Sequence, residues 1–492
     1  MARMIIRTAP ATGSGESGGL LLFVIAALSL PVYLFVVDSF IPEGLSPITT
    51  GVSLASYVLI IWAFVAPRYV LAEVAAVLGI VGIVLIPNFG APLAAKAPLS
   101  GVMVALLLVY LARFGFTNRI GLPLGLMITY ILYALVSAVI LTAEQTVLAL
   151  LLQVATLLPI GVFLLVLDVR RLERVLLALC SLGVVQACWA VANALEVAPL
   201  PWGVLGKELG TDGQVHNLIE DLTVRGSGTL AHPLACGWFL AFCFVLLFRL
   251  TSTTLKVRLT MGACFVVGII FTGTRSALLA VGLTVCVYLL ISWKKTSFAL
   301  KALVVTACGG LFFIAAGSSS LFMLKFLGLH DIHNTASYYQ RLDTADAFLV
   351  LLRAPFWDLV VGSNPDDVAT RSEFRYLAQN DIFAIDNQWV SLLAKTGIIG
   401  VALIALYLAA LARRSRLGVV FGVFLIASTV SFSPLDWNVG VLMWIVLALP
   451  LVARLTSYSD SRDIDIPRNA FPTLSGSPQA SESLRGSGFA HG

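Results

Sequence analysis

The chain has 492 residues, 59% of them hydrophobic and 12% charged, with a mean hydropathy of +0.97. Soluble domains carry roughly 25% charged residues, so a water-soluble protein is excluded. The net charge of +5 comes without a basic stripe interleaved with aromatics, so no nucleic-acid partner is implied, and the lipid bilayer is the expected surrounding.

Residues 1–18 are polar, and no small-residue cleavage site follows the first apolar run, so a cytoplasmic N-terminus and a retained first span are expected. Runs suited to crossing a hydrocarbon core of ~30 Å follow in order at 19–38, 51–66, 70–87, 99–112, 121–142, 147–167 and 175–195. They continue at 232–249, 259–274, 276–292, 302–318, 389–411, 417–432 and 439–454. The fold class is therefore an all-α polytopic membrane protein with about fourteen transmembrane helices, and at least twelve, inside a transmembrane domain at 19–455. The tail at 456–492, rich in Ser, Gly, Pro and charge, is expected to be disordered in the cytoplasm.

Alternate connections hold Arg68, then Arg113 and Arg119, then Arg170, Arg171 and Arg174, then Lys256 and Arg258, then Lys294, Lys295 and Lys301, then Arg413, Arg414 and Arg416. The positive-inside rule puts these in the cytoplasm, with both termini. The intervening connections are nearly free of positive charge, Lys96 and Arg275 excepted. One helix over the 34 residues from 259 to 292 would measure roughly 51 Å, too long for a single crossing. A break within Phe271-Thr-Gly-Thr-Arg-Ser276 makes two spans and leaves Arg275 at an outer turn.

Two outer connections, 197–231 and 319–388, are too long to be mere turns. In the second, Tyr338, Leu342, Ala345, Leu349 and Leu352 recur at helical spacing, predicting an amphipathic helix from Ser337 to Arg353 that lies on the membrane or covers a cavity. All seven cysteines fall within predicted spans and no Cys-x-x-Cys occurs, so neither disulfides nor a cysteine metal site is expected.

No Walker loop, His-Glu-x-x-His or Gly-x-Ser-x-Gly is present. The only Asp-x-Asp, Asp463-Ile464-Asp465, lies in the tail, which argues against a metal-dependent nucleotide-sugar site. What remains on the outer side is polar: Arg225 and His232 in Arg225-Gly-Ser-Gly-Thr-Leu-Ala-His-Pro233, then Arg275, Arg341 and Asp386-Asn387. Each has a plain structural use. Arg275 can snorkel to headgroups, Arg341 can hold an amphipathic helix to lipid phosphate, His232 can shape a span entrance, and Asp386 can cap a helix starting at Asn387. Taken together, two or three guanidiniums can hold a diphosphate by bidentate, charge-assisted hydrogen bonds, and one carboxylate beside them can serve as general base.

The order Arg-Gly-Ser-Gly-Thr-Leu-Ala-His-Pro, then Thr-Gly-Thr-Arg-Ser two spans later, resembles the O-antigen ligase and polysaccharide polymerase superfamily. The large outer loop agrees, with Arg341-Leu-Asp-Thr-Ala-Asp-Ala-Phe348, Pro355, Gly362 and Asp386-Asn-Gln-Trp-Val-Ser-Leu-Leu-Ala-Lys-Thr-Gly-Ile-Ile-Gly400. The resemblance, covering roughly 225–412, implies metal-independent transfer of a glycan from undecaprenyl diphosphate on the outer face of the bacterial inner membrane, with no cofactor. It implies that Arg275 and Arg341 bind the diphosphate, and that the partners are the lipid-linked oligosaccharide, the growing polysaccharide, a flippase and a chain-length regulator. Ligase members usually carry His where this chain has Asp386, which leans the expectation towards a polymerase of lipid-linked repeats. A ligase, transferring the glycan to lipid A core or protein, keeps the same chemistry. A transporter or flippase of lipid-linked sugars is the third reading; few buried charges and no paired, broken helices in two halves speak against it.

Overall fold

A computed structural model of the chain describes residues 47–87, 93–116, 118, 120–141, 143–201, 224–292, 347–363, 378–379, 382–383 and 387–449. Its helices are α1 (Pro47–Val65), α2 (Arg68–Leu85), α3 (Leu93–Phe114), α4 (Leu122–Ile140), α5 (Glu144–Val166) and α6 (Val169–Ala194). They continue with α7 (Pro233–Leu246), α8 (Leu255–Thr272), α9 (Arg275–Ser292), the short α10 (Phe356–Val361), α11 (Gln388–Arg414), α12 (Arg416–Ser431) and α13 (Asn438–Ala448). A 3-10 turn, Pro434–Asp436, precedes α13. The described β-structure is one antiparallel pairing of Ala378–Gln379 with Ile382–Phe383.

Seven of these helices are long and apolar enough to cross a membrane, and shorter apolar helices match the predicted spans at 51–66, 232–249, 276–292, 417–432 and 439–454. The predicted spans 19–38 and 302–318, the loop residues 202–223, and the tail lie outside the described residues. The break proposed between 271 and 276 is present. α8 stops at Thr272 and Gly273 takes a left-handed conformation, φ +66°, before α9 starts at Arg275. Polar residues start several helices by accepting backbone N–H bonds: Asp168 from Arg171, Thr254 from Val257 and Ser415 from Gly418.

The basic connections meet at one end of the helices, although they are scattered along the chain. Arg68 Nε donates to Tyr110 Oη at 2.8 Å, and Arg113 Nη1 donates to the Ala63 and Ala66 carbonyls at 2.7 and 2.8 Å, closing the end of α1. Arg171 bridges to Glu73 at 2.9 Å, and Thr251 donates to Glu173 at 2.6 Å. Arg249, 5% exposed, donates to the Val446 and Leu449 carbonyls, and Arg414 donates to Ala448 O at 2.7 Å. Two guanidiniums thus take up the orphan carbonyls at the C-terminus of α13, where the helix dipole favours positive charge. Residues 225–232, 272–275 and 434–437 stand at the opposite end.

One expectation, that on the cysteines, needs correction. Residues 347–351 are helical, but Ala347 and Leu351 are the buried pair, packed with Val390, Leu393 and Ala394 of α11, while Leu349 and Leu352 are 56% and 46% exposed. Lipid-facing surfaces are apolar as well, so an apolar stripe does not by itself say which face packs on protein; the rest of the predicted 337–353 helix lies outside the described residues. Five described cysteines are free, but Cys286 is disulfide-bonded, with its partner not among the described residues.

Candidate functional site

Arg225-Gly-Ser-Gly-Thr-Leu-Ala-His232 is a buried loop wedged among helices rather than a surface turn. Thr229 is its anchor: its N–H donates to Gln186 Oε1 at 2.9 Å, its Oγ1 accepts from Gln186 Nε2 at 2.8 Å, and its Oγ1 donates to Val84 O at 2.7 Å. Gly228, with φ +59°, lies so close to Gln186 that a side chain would collide with it. This fixation aims Arg225 at the α8–α9 turn. Its Nε donates to Thr272 O at 2.8 Å, while Gly226 N–H donates to Phe271 O at 3.0 Å. A Cβ on Gly273 would lie 3.0 Å from Arg225 Nε, so the glycine both allows the turn and admits the guanidinium. Arg275, the first residue of α9, follows at that turn, and Thr274 ties the turn to α7 by donating to Pro233 O at 3.2 Å. Arg225 and Arg275 therefore belong to one local assembly.

His232 caps α7. Its Nδ1 accepts the Leu234 N–H at 3.2 Å, so the proton of the neutral ring sits on Nε2. The neutral ring is thus a hydrogen-bond donor at Nε2. It lies against Trp437, ring centroids 5.6 Å apart, and Trp437 follows Asp436 directly.

The Pro434–Asp436 turn joins this loop to the start of α11. Asn387 caps α11, its Oδ1 accepting from Trp389 N and Val390 N at 3.0 and 3.3 Å. Gln388 Oε1 accepts from Leu435 N at 2.8 Å. Asp436 accepts from Ser391 Oγ at 3.2 Å and pairs with Lys395 Nζ at 3.0 Å, the two charged side chains 24% and 26% exposed. The sequence did single out Arg225, His232, Arg275 and Asn387, and all four stand at this end. Arg341 and Asp386 lie outside the described residues, and Asn387, rather than the residue before it, caps the described helix start. Sequence reasoning missed Lys395 and Asp436. A lysine two turns inside an apolar helix was the available signal, because such a charge requires a partner.

The fold and these groups define a polytopic, helical membrane protein that gathers cationic and acidic side chains at one end of its helices. Residues 259–405, from α8 into α11, match the family model described as O-Antigen ligase. That segment resembles a family whose members are membrane glycosyltransferase-like enzymes. No curated protein matches the chain.

Proposed function

We propose that the protein polymerises lipid-linked oligosaccharide repeats at the outer face of the bacterial cytoplasmic membrane, with both termini in the cytoplasm. The observation that carries this reading is that the Arg225 loop and the Pro434–Asp436 turn bring the Arg275 turn and the α11 start to one end, and these last two lie in the segment that matches the family. In this reading Arg225, Arg275 and Arg341 hold the undecaprenyl diphosphate of the donor, and their charge balances that of the departing diphosphate. A sugar hydroxyl of the second repeat attacks the anomeric carbon; the bond to the diphosphate breaks, and Asp386 takes the hydroxyl proton. No metal is required, since the guanidiniums supply the positive charge. His232, donating from Nε2, and Asn387 orient the reacting groups.

The second reading is a ligase, favoured by the description of the matching family, whereas Asp386 favours the polymerase. Reconstituting the purified protein in liposomes with a lipid-linked repeat separates them. Glycan lengthening on the polyprenyl carrier with no added acceptor is the expected result. Consumption of donor only when lipid A core is supplied would establish the ligase, and no consumption with either would end both readings. The flippase and chain-length regulator belong to the polymerase reading as partners.

A further inference from the structure

α11 is broken. At Gly397 the backbone takes φ +60° and ψ −165°, a conformation essentially restricted to glycine, and Gly362, just after α10, takes φ +99° and ψ +170°. The two glycines face each other, and a Cβ on either would run into the other segment's backbone. A broken helix leaves carbonyls that must be satisfied where water is scarce. Here Ser363 N–H donates to Ala394 O at 2.8 Å, and Tyr133 Oη of α4, its one proton shared, reaches Thr396 O at 3.1 Å and Val361 O at 3.3 Å. Ser137 Oγ donates to the same Val361 carbonyl at 3.3 Å.

We infer that Tyr133 is a positioning residue: its hydroxyl, with Ser137, locks the 356–363 segment into the break of α11 and so fixes that segment against the helix that follows Asp386. The inference rests on the proposed glycosyl transfer. Connectivity gives it force, because Arg341 lies six residues before Ala347, Asp386 directly precedes Asn387, and Lys395 stands immediately before the break. The clamp ties the chain that follows Arg341 to the helix that follows Asp386, the two stretches that the proposed reaction needs in register, and alignment is where such reactions gain most of their rate.

The test is Tyr133→Phe, which keeps the ring and removes the proton. At normal abundance and melting temperature, turnover at saturating lipid-linked donor should fall about tenfold or more, with KM near that of the parent and a larger share of donor lost to water. A purely structural role would move the melting temperature and leave the turnover of the folded protein alone. A second readout is independent of activity: Ser363, 3% exposed, replaced by cysteine should react faster with a thiol reagent in the Tyr133→Phe background. Should Tyr133→Phe fail to fold, Ser137→Ala, which removes one bond, should show the same changes to a smaller degree. Parental turnover in a folded Tyr133→Phe protein, or unchanged labelling at 363, overturns the inference. A parent that consumes no lipid-linked donor refutes the functional reading instead, and the labelling still decides the clamp.

Discussion

The Lys395–Asp436 pair gives the sharpest test of how this end of the protein is held. An opposite-charge pair at 3.0 Å gains roughly 5 kcal/mol at an effective dielectric of about 20, before desolvation and the ordering of a long side chain are subtracted. About a quarter of each side chain is open to solvent, 24% and 26%, which screens the pair and leaves a coupling of about 1–2 kcal/mol. Lys395→Met leaves the carboxylate with the Ser391 hydroxyl but without its cation, and Asp436→Asn leaves an ammonium inside an apolar helix. Each single variant should lose roughly 1–3 kcal/mol, whereas Lys395→Met with Asp436→Leu should recover much of that because no unpaired charge remains. A double-mutant cycle on reversible SDS unfolding of the purified protein measures the coupling. Losses that add to within about 0.5 kcal/mol would show that the two groups do not stabilise each other. If the double variant is stable and inactive, the pair also serves the reaction.

Arg275→Ala, and likewise Arg341→Ala, should cut turnover by roughly 30- to several-thousand-fold at normal abundance, with Arg→Lys recovering part; full activity in both Ala variants would leave only contacts with lipid headgroups. Asp386→Asn should lower turnover of purified protein by about 10² to 10⁴ with unchanged melting, and Asp386→His should restore measurable activity; an Asn variant within a few-fold of the parent would remove the general-base role. His232→Asn keeps an acceptor for the Leu234 N–H and should cost little stability, whereas His232→Ala should lose about 1 kcal/mol; equal melting of the two variants would refute the capping role.

The described apolar helices were legible because the hydrocarbon core imposes length, their shared basic end because alternate connections carry the Lys and Arg, and the α8–α9 break because 34 residues exceed one crossing. The Arg225 loop was recognisable as a motif, but its burial was not, since Gln186 and Val84, which hold Thr229, are distant in sequence. Gly397-Ile-Ile-Gly400 was visible only as a pattern. Its physical reason, a backbone from α10 inserted against Gly397, lies 35 residues upstream at Gly362. Arg249 read as part of an apolar run, and only the carbonyls at the end of α13 explain a cation there. The Lys395–Asp436 pair joins residues 41 positions apart, and nothing local announces it.

α13 also sets a depth. Its 11 residues from Asn438 to Ala448 rise about 17 Å, against a hydrocarbon layer of ~30 Å. The Asp436 turn at one end and the Arg249–Arg414 anchor at the other therefore cannot both lie at membrane surfaces. Arg413 and Arg416, exposed beside Arg414, belong at headgroup level, so the recessed end is the one that carries Asp436. A charged group in the plane of the acyl chains needs a local thinning or a water-filled inlet above it. The proposed glycosyl transfer would then need a polar headgroup to descend to that depth while its hydrocarbon tail stays in the surrounding leaflet.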